Sequence, residues 1–213
     1  RLLFGRPPTP LEEQLARDFL DAKPAERSSG DTRDRPDILV GSFEDGSYGR
    51  WKATGDAFGP KPPSGTLPNQ MNVSGFLGNG LVNTYFRGDR TTGTLTSPEF
   101  TIQRKRIAFL IGGGRHPGKT CIELHVDGRV VRTATGQNNE LLQWRGWDVA
   151  EFGERTARIR IVHQVTGGWG HINIDHIGQT DQRQVGTPPP PALDPWTQYV
   201  QVLLGSNEFM FVR

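Results

Sequence analysis

Short runs in which apolar and polar residues alternate dominate the middle of the chain. Ile122, Leu124 and Val126 are separated by single, more polar residues, which is the period of a strand with one buried face. Residues 107–111 are apolar throughout, which predicts a central strand buried on both faces. Glycine-rich turns separate the runs and no helical period interrupts them, so the pattern predicts a mostly β fold, an antiparallel β-sandwich or jelly roll. The predicted strands are Ile38–Phe43, Gly80–Tyr85, Gly93–Thr96, Phe100–Gln103, Ile107–Ile111, Cys121–Val126, Val130–Ala134, Gln143–Val149, Ala157–His163 and His171–Ile177.

Helical spacing of apolar residues occurs near the two ends of the chain. The first predicted helix runs from Pro10 to Ala22, and the second begins after Asp194, with Pro195 in its first turn, and ends at Gly205. Each helix is too short to be stable alone. We therefore expect the two helices to pack on each other.

These helices and two linkers divide the chain into three predicted parts. Residues 1–35 hold the first helix and a charged linker, residues 36–181 form the β-sandwich, and residues 182–213 hold a proline tract and the second helix. Proline tracts are stiff and extended. The β-sandwich is therefore expected to be an insertion between two helices of a larger helical unit.

The segment Gly113–Thr120 fits G-x-x-x-x-G-K-[ST], the phosphate-binding loop of nucleotide hydrolases. That loop works only where a helix begins at its Lys-Thr pair, because the helix N-terminus helps to bind the phosphates. Here an alternating strand pattern follows, and Asp127-Gly128 then supplies a hairpin turn. The sequence therefore predicts a loop between two strands, not a nucleotide site.

Charge and hydropathy exclude several classes of partner. The 25 basic and 23 acidic residues give a net charge of +2, so no long-range field favours nucleic acid. No apolar run has the length of a membrane span, and no signal peptide is visible. Because the chain starts at Arg1 and not at Met, we expect it to be a piece of a longer protein.

Catalytic signatures are scarce. The single cysteine, Cys121, lies in a predicted strand, which favours a buried thiol over a nucleophile and excludes a disulfide within the chain. The sequence has five histidines but neither H-E-x-x-H nor G-x-S-x-G. The two carboxylates of a glycoside-cleaving site converge in the fold and need not be close in the sequence, so the sequence does not exclude such a pair. We expect the chain itself not to be an enzyme, although its parent protein could be one.

Glycine-rich loops are better candidates for chemistry. Trp169 stands among Gly167, Gly168 and Gly170, and such a loop can present an indole face to a sugar ring; the alternative is an indole that closes the end of the sandwich. If the loops around residues 89, 115 and 169 share one end of the sandwich, they form a shallow site that suits a neutral polyol. The candidate ligand-binding residues are Asn83, Asp89, Arg115, His116, Trp169 and His171.

A structural calcium ion is the one cofactor that the sequence suggests. Glu44 ends the first strand and Asp175 lies in the last. First and last strands are often neighbours in jelly rolls, so these hard oxygen ligands could converge. The alternative is that both carboxylates are solvated or form turns.

The β domain resembles an accessory β-sandwich module that accompanies some bacterial enzymes of glycoside hydrolase family 32, which cleave fructans. The resemblance is carried by segments 43–51, 75–83, 93–98, 109–114 and 167–173. It implies a galactose-binding-like jelly roll that binds carbohydrate, either fructan or another polysaccharide, without catalysis. The W-M-N-D-P-N-G, R-D-P and E-C motifs of the hydrolase are absent from the sequence.

The two ends resemble the C-terminal helical part of a family of exported, uncharacterised planctomycete-type proteins that often carry cytochrome c segments. Residues 3–10 and 201–209 carry this resemblance. It implies a periplasmic or extracellular location, with the rest of the parent chain as a partner. The haem motif C-x-x-C-H is absent here, so the resemblance implies no electron transfer for this piece.

Together these observations predict a non-catalytic carbohydrate-binding module within a larger exported protein. Stacking on Trp169 and hydrogen bonds from the neighbouring loops would bind a neutral sugar. The alternative is a structural or protein-interaction module of a cytochrome-c-associated protein, with no sugar ligand. A large apolar patch around Trp169 without convergent polar groups would favour that alternative.

Overall fold

The computed structural model describes residues 9–21 and 35–182. The elements are α1 (Pro10–Asp21), β1 (Ile38–Gly41), β2 (Lys52–Gly55), β3 (Val82–Asn83), β4 (Gly93–Thr96), β5 (Phe100–Thr101), β6 (Arg106–Gly113), β7 (Thr120–Val126), β8 (Arg129–Ala134), β9 (Asn139–Asp148), β10 (Thr156–His163) and β11 (Ile172–Thr180), with a 3-10 turn at Ala150–Phe152. Helix α1 belongs to a different compact unit from residues 35–182.

Helix α1 begins at Pro10, as its sequence predicts, and spans Pro10–Asp21; its predicted last residue, Ala22, lies outside the described residues. The backbone N–H of Glu13 donates to the carbonyl of Thr9 at 3.0 Å, which closes the first turn. The second predicted helix lies outside the described residues. Its packing against α1, and the domain boundaries at residues 35 and 181, stay predictions.

Residues 35–182 form two antiparallel sheets. One has the strand order β1-β11-β6-β9, with β3 also beside β11, and the other has the order β2-β4-β10-β7-β8, with β5 also beside β10. The first and last strands of the domain pair directly, with Ile38 opposite Gln179. The predicted antiparallel β-sandwich is confirmed, and all ten predicted strands are present.

The core lies between the two sheets because the alternating strands turn their apolar sides inward. Ile159 and Ile161 of β10 belong to one cluster with Ile172 and Ile174 of β11, and all four side chains are fully buried. Phe109 of β6 packs in the same cluster.

Strand β6 is also buried on its outer side. Leu110 joins Val73, Leu81 and Leu142 in a second, smaller apolar cluster, which lies under residues of the segment 56–81. This double burial confirms that the wholly apolar run 107–111 is an interior strand, with β11 and β9 on its two sides.

The segment 113–120 joins β6 in one sheet to β7 in the other, and no helix begins at Lys119. The N–H of Thr120 donates to the carbonyl of His116 at 2.8 Å, which makes a tight turn where a nucleotide hydrolase would need a helix. The predicted hairpin is also confirmed, since Asp127 (φ 48°) and Gly128 (φ 79°) both have the left-handed backbone of a type I′ turn. Cys121 is fully buried, as predicted, and burial raises the pKa of its thiol.

Strand β2 was not predicted. All four of its residues are exposed, and its sequence Lys-Ala-Thr-Gly has no apolar alternation. It is an edge strand that pairs with β4 through the backbone, with Lys52 opposite Thr96. Apolar periodicity cannot reveal a strand that buries neither face.

Candidate functional site

The indole of Trp169 lies on a loop between β10 and β11 and is half-buried. Its backbone is left-handed, with φ of 60°, a conformation that costs a bulky residue about 1–2 kcal/mol. The neighbouring glycines make the loop possible: Gly167 has φ of 97°, and a Cβ on Gly170 would stand 2.3 Å from the carbonyl oxygen of Val165. Strained residues of this kind concentrate at functional sites.

The imidazole of His171 packs against one face of the Trp169 indole. The two rings are stacked with centroids 5.7 Å apart and planes at 26°. The ring of Tyr85 meets the same imidazole edge-on at 4.9 Å. His171 is only 3% exposed, so it is a buried support between two more accessible aromatic rings.

Two carboxylates fix the imidazole in place. His171 Nδ1 lies 2.8 Å from Asp89 Oδ1, and its Nε2 lies 3.0 Å from Glu140 Oε1. Burial alone would lower the pKa of His171, but the hydrogen bonds and charges of Asp89 and Glu140 raise it to about 9. Burial would likewise raise the pKa of Asp89, but its hydrogen bond to His171 and the imidazolium charge lower it. At neutral pH both ring nitrogens therefore carry protons and donate to the carboxylates.

Glu140 extends this triad into a buried amide network. Its Oε2 accepts from Asn173 Nδ2 at 2.6 Å and from Gln70 Nε2 at 3.2 Å. The side-chain oxygen of Gln70, Oε1, accepts in turn from Asn83 Nδ2 at 2.7 Å. A connected polar network of this kind holds its members in one arrangement.

The structure brings most of the predicted ligand-binding residues together. Asp89 and Trp169 both contact His171 directly, and Asn83 joins them through Gln70 and Glu140. Asn83 and His171 are buried, so they position the surface residues and do not reach the solvent.

The remaining two predicted residues lie on the loop after β6. A Cβ built on Gly114 would stand 1.7 Å from the carbonyl oxygen of Trp169 and 3.2 Å from a ring carbon of His116, so this loop passes close to the indole loop. Arg115 is exposed, and its backbone N–H donates to the side chain of Asn138. We name Asp89, Arg115, His116, Trp169 and the supporting ring Tyr85 the Trp169 rim.

Glu140, Gln70 and Tyr85 were missed by the sequence reasoning. Glu140 lies one residue into β9, opposite the end of β6, because Gly113 pairs with Asn139. Its two fully buried contacts come from residues 31 and 33 positions away. No local spacing predicts such a meeting.

A glycoside-cleaving site would need two carboxylates close to each other, and Asp89 and Glu140 are two such carboxylates. The imidazole of His171 fills the space between them, and Glu140 is only 5% exposed. A substrate bond cannot enter between the two acids in this arrangement. The pair acts as the fixed support of His171.

The predicted calcium ligands, Glu44 and Asp175, interact through their charges. Their four oxygens accept backbone N–H groups: Glu44 from Asn79 at 2.6 Å and from Gly80 at 3.4 Å, and Asp175 from Leu77 at 2.8 Å and from His176 at 2.6 Å. Burial, followed by the charge of Glu44, raises the pKa of Asp175 to about 6, against the lowering effect of its backbone hydrogen bonds. Residues 9–21 and 35–182 contain no group of three or more His, Cys, Asp or Glu side chains placed to hold a metal ion. Calcium binding at this pair stays a prediction.

Comparison with known proteins gives one curated relative and a set of similar folds. No family model matches the chain. The Aspergillus rugulosus protein ecdE, described by name as a putative glycosyl hydrolase, is 46% identical over 127 residues, which is 60% of this chain and 18% of that protein. The chain thus spans about a fifth of the relative that it matches. The fructan-hydrolase and planctomycete-type resemblances stay predictions.

Similar solved structures include carbohydrate-binding modules and an adhesin domain. TmCBM61, solved with β-1,4-galactotriose, is 18% identical with a TM-score of 0.45, and it covers 70% of this chain and 100% of its own. The K1 adhesin domain of Lys-gingipain from Porphyromonas gingivalis W83 is 16% identical with a TM-score of 0.45, covering 70% and 99%. A family 35 module from Clostridium thermocellum is 12% identical with a TM-score of 0.38, covering 70% and 100%. Among the described residues, no helix is long and apolar enough to cross a membrane.

Proposed function

We propose that residues 35–182 form a non-catalytic carbohydrate-binding module, and that the Trp169 rim binds a neutral sugar. The observation that carries the proposal is the half-buried indole of Trp169, held on a left-handed backbone and stacked on an imidazole that two carboxylates fix. An indole placed in this way is already ordered before a ligand arrives. Binding therefore loses little side-chain entropy.

The composition of the rim suits a sugar. Trp169 and Tyr85 offer aromatic faces for the C–H surface of a ring. The carboxylate of Asp89, whose side chain is 15% exposed, can accept hydrogen bonds from hydroxyl groups, and the guanidinium of the exposed Arg115 can donate them. A shallow surface with one stacking contact supports weak binding, with dissociation constants on the order of 0.1–10 mM.

The curated relative supports the same class of function. A protein described as a glycosyl hydrolase shares 46% identity over 127 residues with this chain, which fits a module that brings a carbohydrate-active protein to its polysaccharide. Proteins of that kind work outside the cell, so we place the parent protein in the periplasm or the extracellular space. Fructan is the first polysaccharide to test, and the rest of the parent chain is the other expected partner.

The proposal is tested by calorimetric titration of the full chain with inulin, levan and a panel of plant and algal oligosaccharides. We expect at least one of them to bind the wild type, and Trp169→Ala to weaken that binding at least tenfold through loss of the stacking surface. Trp144→Phe is the matched control, because Trp144 packs on the apolar cluster outside the five-stranded sheet. It should bind like the wild type.

Trp169→Gly separates binding from stability. Because residue 169 has φ of 60°, the glycine variant should be about 1 kcal/mol more stable than Trp169→Ala, yet bind as poorly. Wild-type affinity in both variants would refute the proposed rim. Failure of every glycan at 10 mM would refute the sugar function and favour the protein-interaction module instead.

A further inference from the structure

A second concave surface lies on the outer face of the six-stranded sheet, which does not contain β11, the strand that follows His171. It is a groove of about 450 Å³. The groove is lined by residues of β4, β10 and the β7–β8 hairpin, among them Thr94, Thr96, His125, Asp127, Arg158 and Arg160.

Arg160 occupies the middle of this face and is half-buried. In the strand register it stands between Thr96 of β4 and Glu123 of β7. No ion pair joins Arg160 to Glu123, whose carboxylate accepts from His125 Nε2 at 2.8 Å. Within residues 35–182, the guanidinium of Arg160 has no hydrogen-bond or ion-pair partner.

The other charges along the groove are already paired. Arg158 Nη2 lies 2.8 Å from Glu99 Oε1, and Asp127 pairs with Arg155. Among the charged side chains that line the groove, Arg160 alone therefore has no ion-pair partner. A half-buried guanidinium without a partner gains from an anion that offers two parallel oxygen acceptors, which is the geometry of a carboxylate.

The surroundings of Arg160 favour a saccharide over a peptide as the source of that carboxylate. Strands β4, β10 and β7 each have a neighbour on both sides, so their backbone groups are paired and cannot extend a peptide strand. Side chains alone face the groove, and they include the hydroxyl group of Thr96 and that of the buried Thr94, which also shares a hydrogen bond with the hydroxyl of Thr54 at 2.8 Å. Hydroxyl groups both donate and accept, which matches the hydroxyls of a sugar ring.

We propose that this groove binds the carboxylate of a uronic acid residue in an acidic saccharide, with Arg160 as its anchor. The inference rests on the proposed function only for the class of ligand. It concerns another surface and another chemical group than the Trp169 rim. The two sites can therefore fail independently.

The test is an NMR titration of the full-length chain with digalacturonic acid, with its methyl-esterified form as the neutral counterpart. We expect the acid to shift amide signals of residues 94–96 and 158–160, and the ester to leave them unchanged. Raising the NaCl concentration from 50 to 500 mM should weaken the binding of the acid several-fold, because the attraction is electrostatic.

Variants locate the anchor. Arg160→Gln should weaken the binding of digalacturonic acid at least tenfold. Arg160→Lys should have an affinity between those of the wild type and Arg160→Gln, since a lysine keeps the charge but not the bidentate geometry. Arg145→Gln, on the exposed side of β9 in the other sheet, and Trp169→Ala should bind the acid like the wild type. Unchanged melting temperatures would establish that Arg160→Gln is folded.

Three results would overturn the inference: no binding of digalacturonate at 20 mM, equal binding in Arg160→Gln, or equal binding of the methyl ester. Tighter binding of tetraglutamate than of digalacturonate would assign the groove to an acidic peptide and would also overturn it. If Trp169→Ala loses neutral sugars while digalacturonate fails to bind, the rim stands and the groove does not. The reverse pattern would retain the groove and reject the rim.

Discussion

Removing the proton from His171 at high pH should destabilise the β-sandwich. The pKa of His171 is raised to about 9 in the folded protein, against about 6.5 in an unfolded chain. A raised folded pKa means that the stabilisation is complete below about pH 6.5 and is lost as the pH rises through about 9. The difference corresponds to roughly 3 kcal/mol.

This loss would be large for a domain of marginal stability. It corresponds to a fall of roughly 10 °C in melting temperature for a domain of this size. Burial lowers the pKa of His163 and raises that of Cys121, so His163 affects stability below about pH 6.5 and Cys121 above about pH 9. Between these two pH values, the change in stability comes mainly from His171 with Asp89 and Glu140.

The assay is urea unfolding of the full chain at half-unit steps from pH 6 to pH 9.5, followed by tryptophan fluorescence, with an NMR titration of the His171 imidazole. Asp89→Asn removes one of the two stabilising charges, so it should lower the pKa of His171 and reduce the loss between pH 6.5 and 9. His125→Gln removes a half-buried imidazole that pairs with Glu123, outside the His171 network, and it should keep the wild-type pH dependence. An imidazole that titrates near 6.5, with stability flat across this interval, would refute the reasoning.

Two further predictions concern the packing and the second buried acid. Gly114→Ala should cost about 2–3 kcal/mol, because its Cβ would stand 1.7 Å from the carbonyl oxygen of Trp169; Gly168→Ala, with nothing within 4 Å of its Cβ, should stay within about 0.5 kcal/mol. Equal unfolding free energies in urea for these two variants would contradict the close approach of the loop after β6 to the indole loop. Asp175 has a folded pKa of about 6, so its contribution should make the protein more stable as the pH falls from about 6 to 4, since the folded state binds the extra proton. Asp175→Asn should remove that slope between pH 4 and 6, and an unchanged slope would show that another acid is responsible.

The strands could be predicted because burial leaves a periodic trace in the sequence. The run 107–111 signals an interior strand, and the alternation in 121–126 signals a strand with one buried face, as the structure confirms. Strand β2 left no such trace because all of its residues are exposed. Its position is set by backbone pairing with β4, and side-chain periodicity carries no information about that pairing.

The site was predictable only in part, for a related reason. The glycines around Trp169 mark a loop that needs unusual backbone conformations, and those are written locally. The partners of His171 come from residues 82 and 31 positions away, and the topology of two sheets brings them together. Arg160 was missed because an outward-facing arginine in a strand looks like an ordinary solvated position until its neighbours are known.

Segment 56–81 forms no helix or strand, yet it is tied down along its length. Glu44 and Asp175 fasten its last residues, Gln70 joins the His171 network, and the N–H of Leu142 donates to Ser74 at 2.8 Å. Because these fastenings come from β9, from β11 and from the turn after β1, this stretch could not be transplanted between homologues as an independent unit. An engineer who wished to alter specificity by loop grafting would have to carry the four anchoring positions along with it.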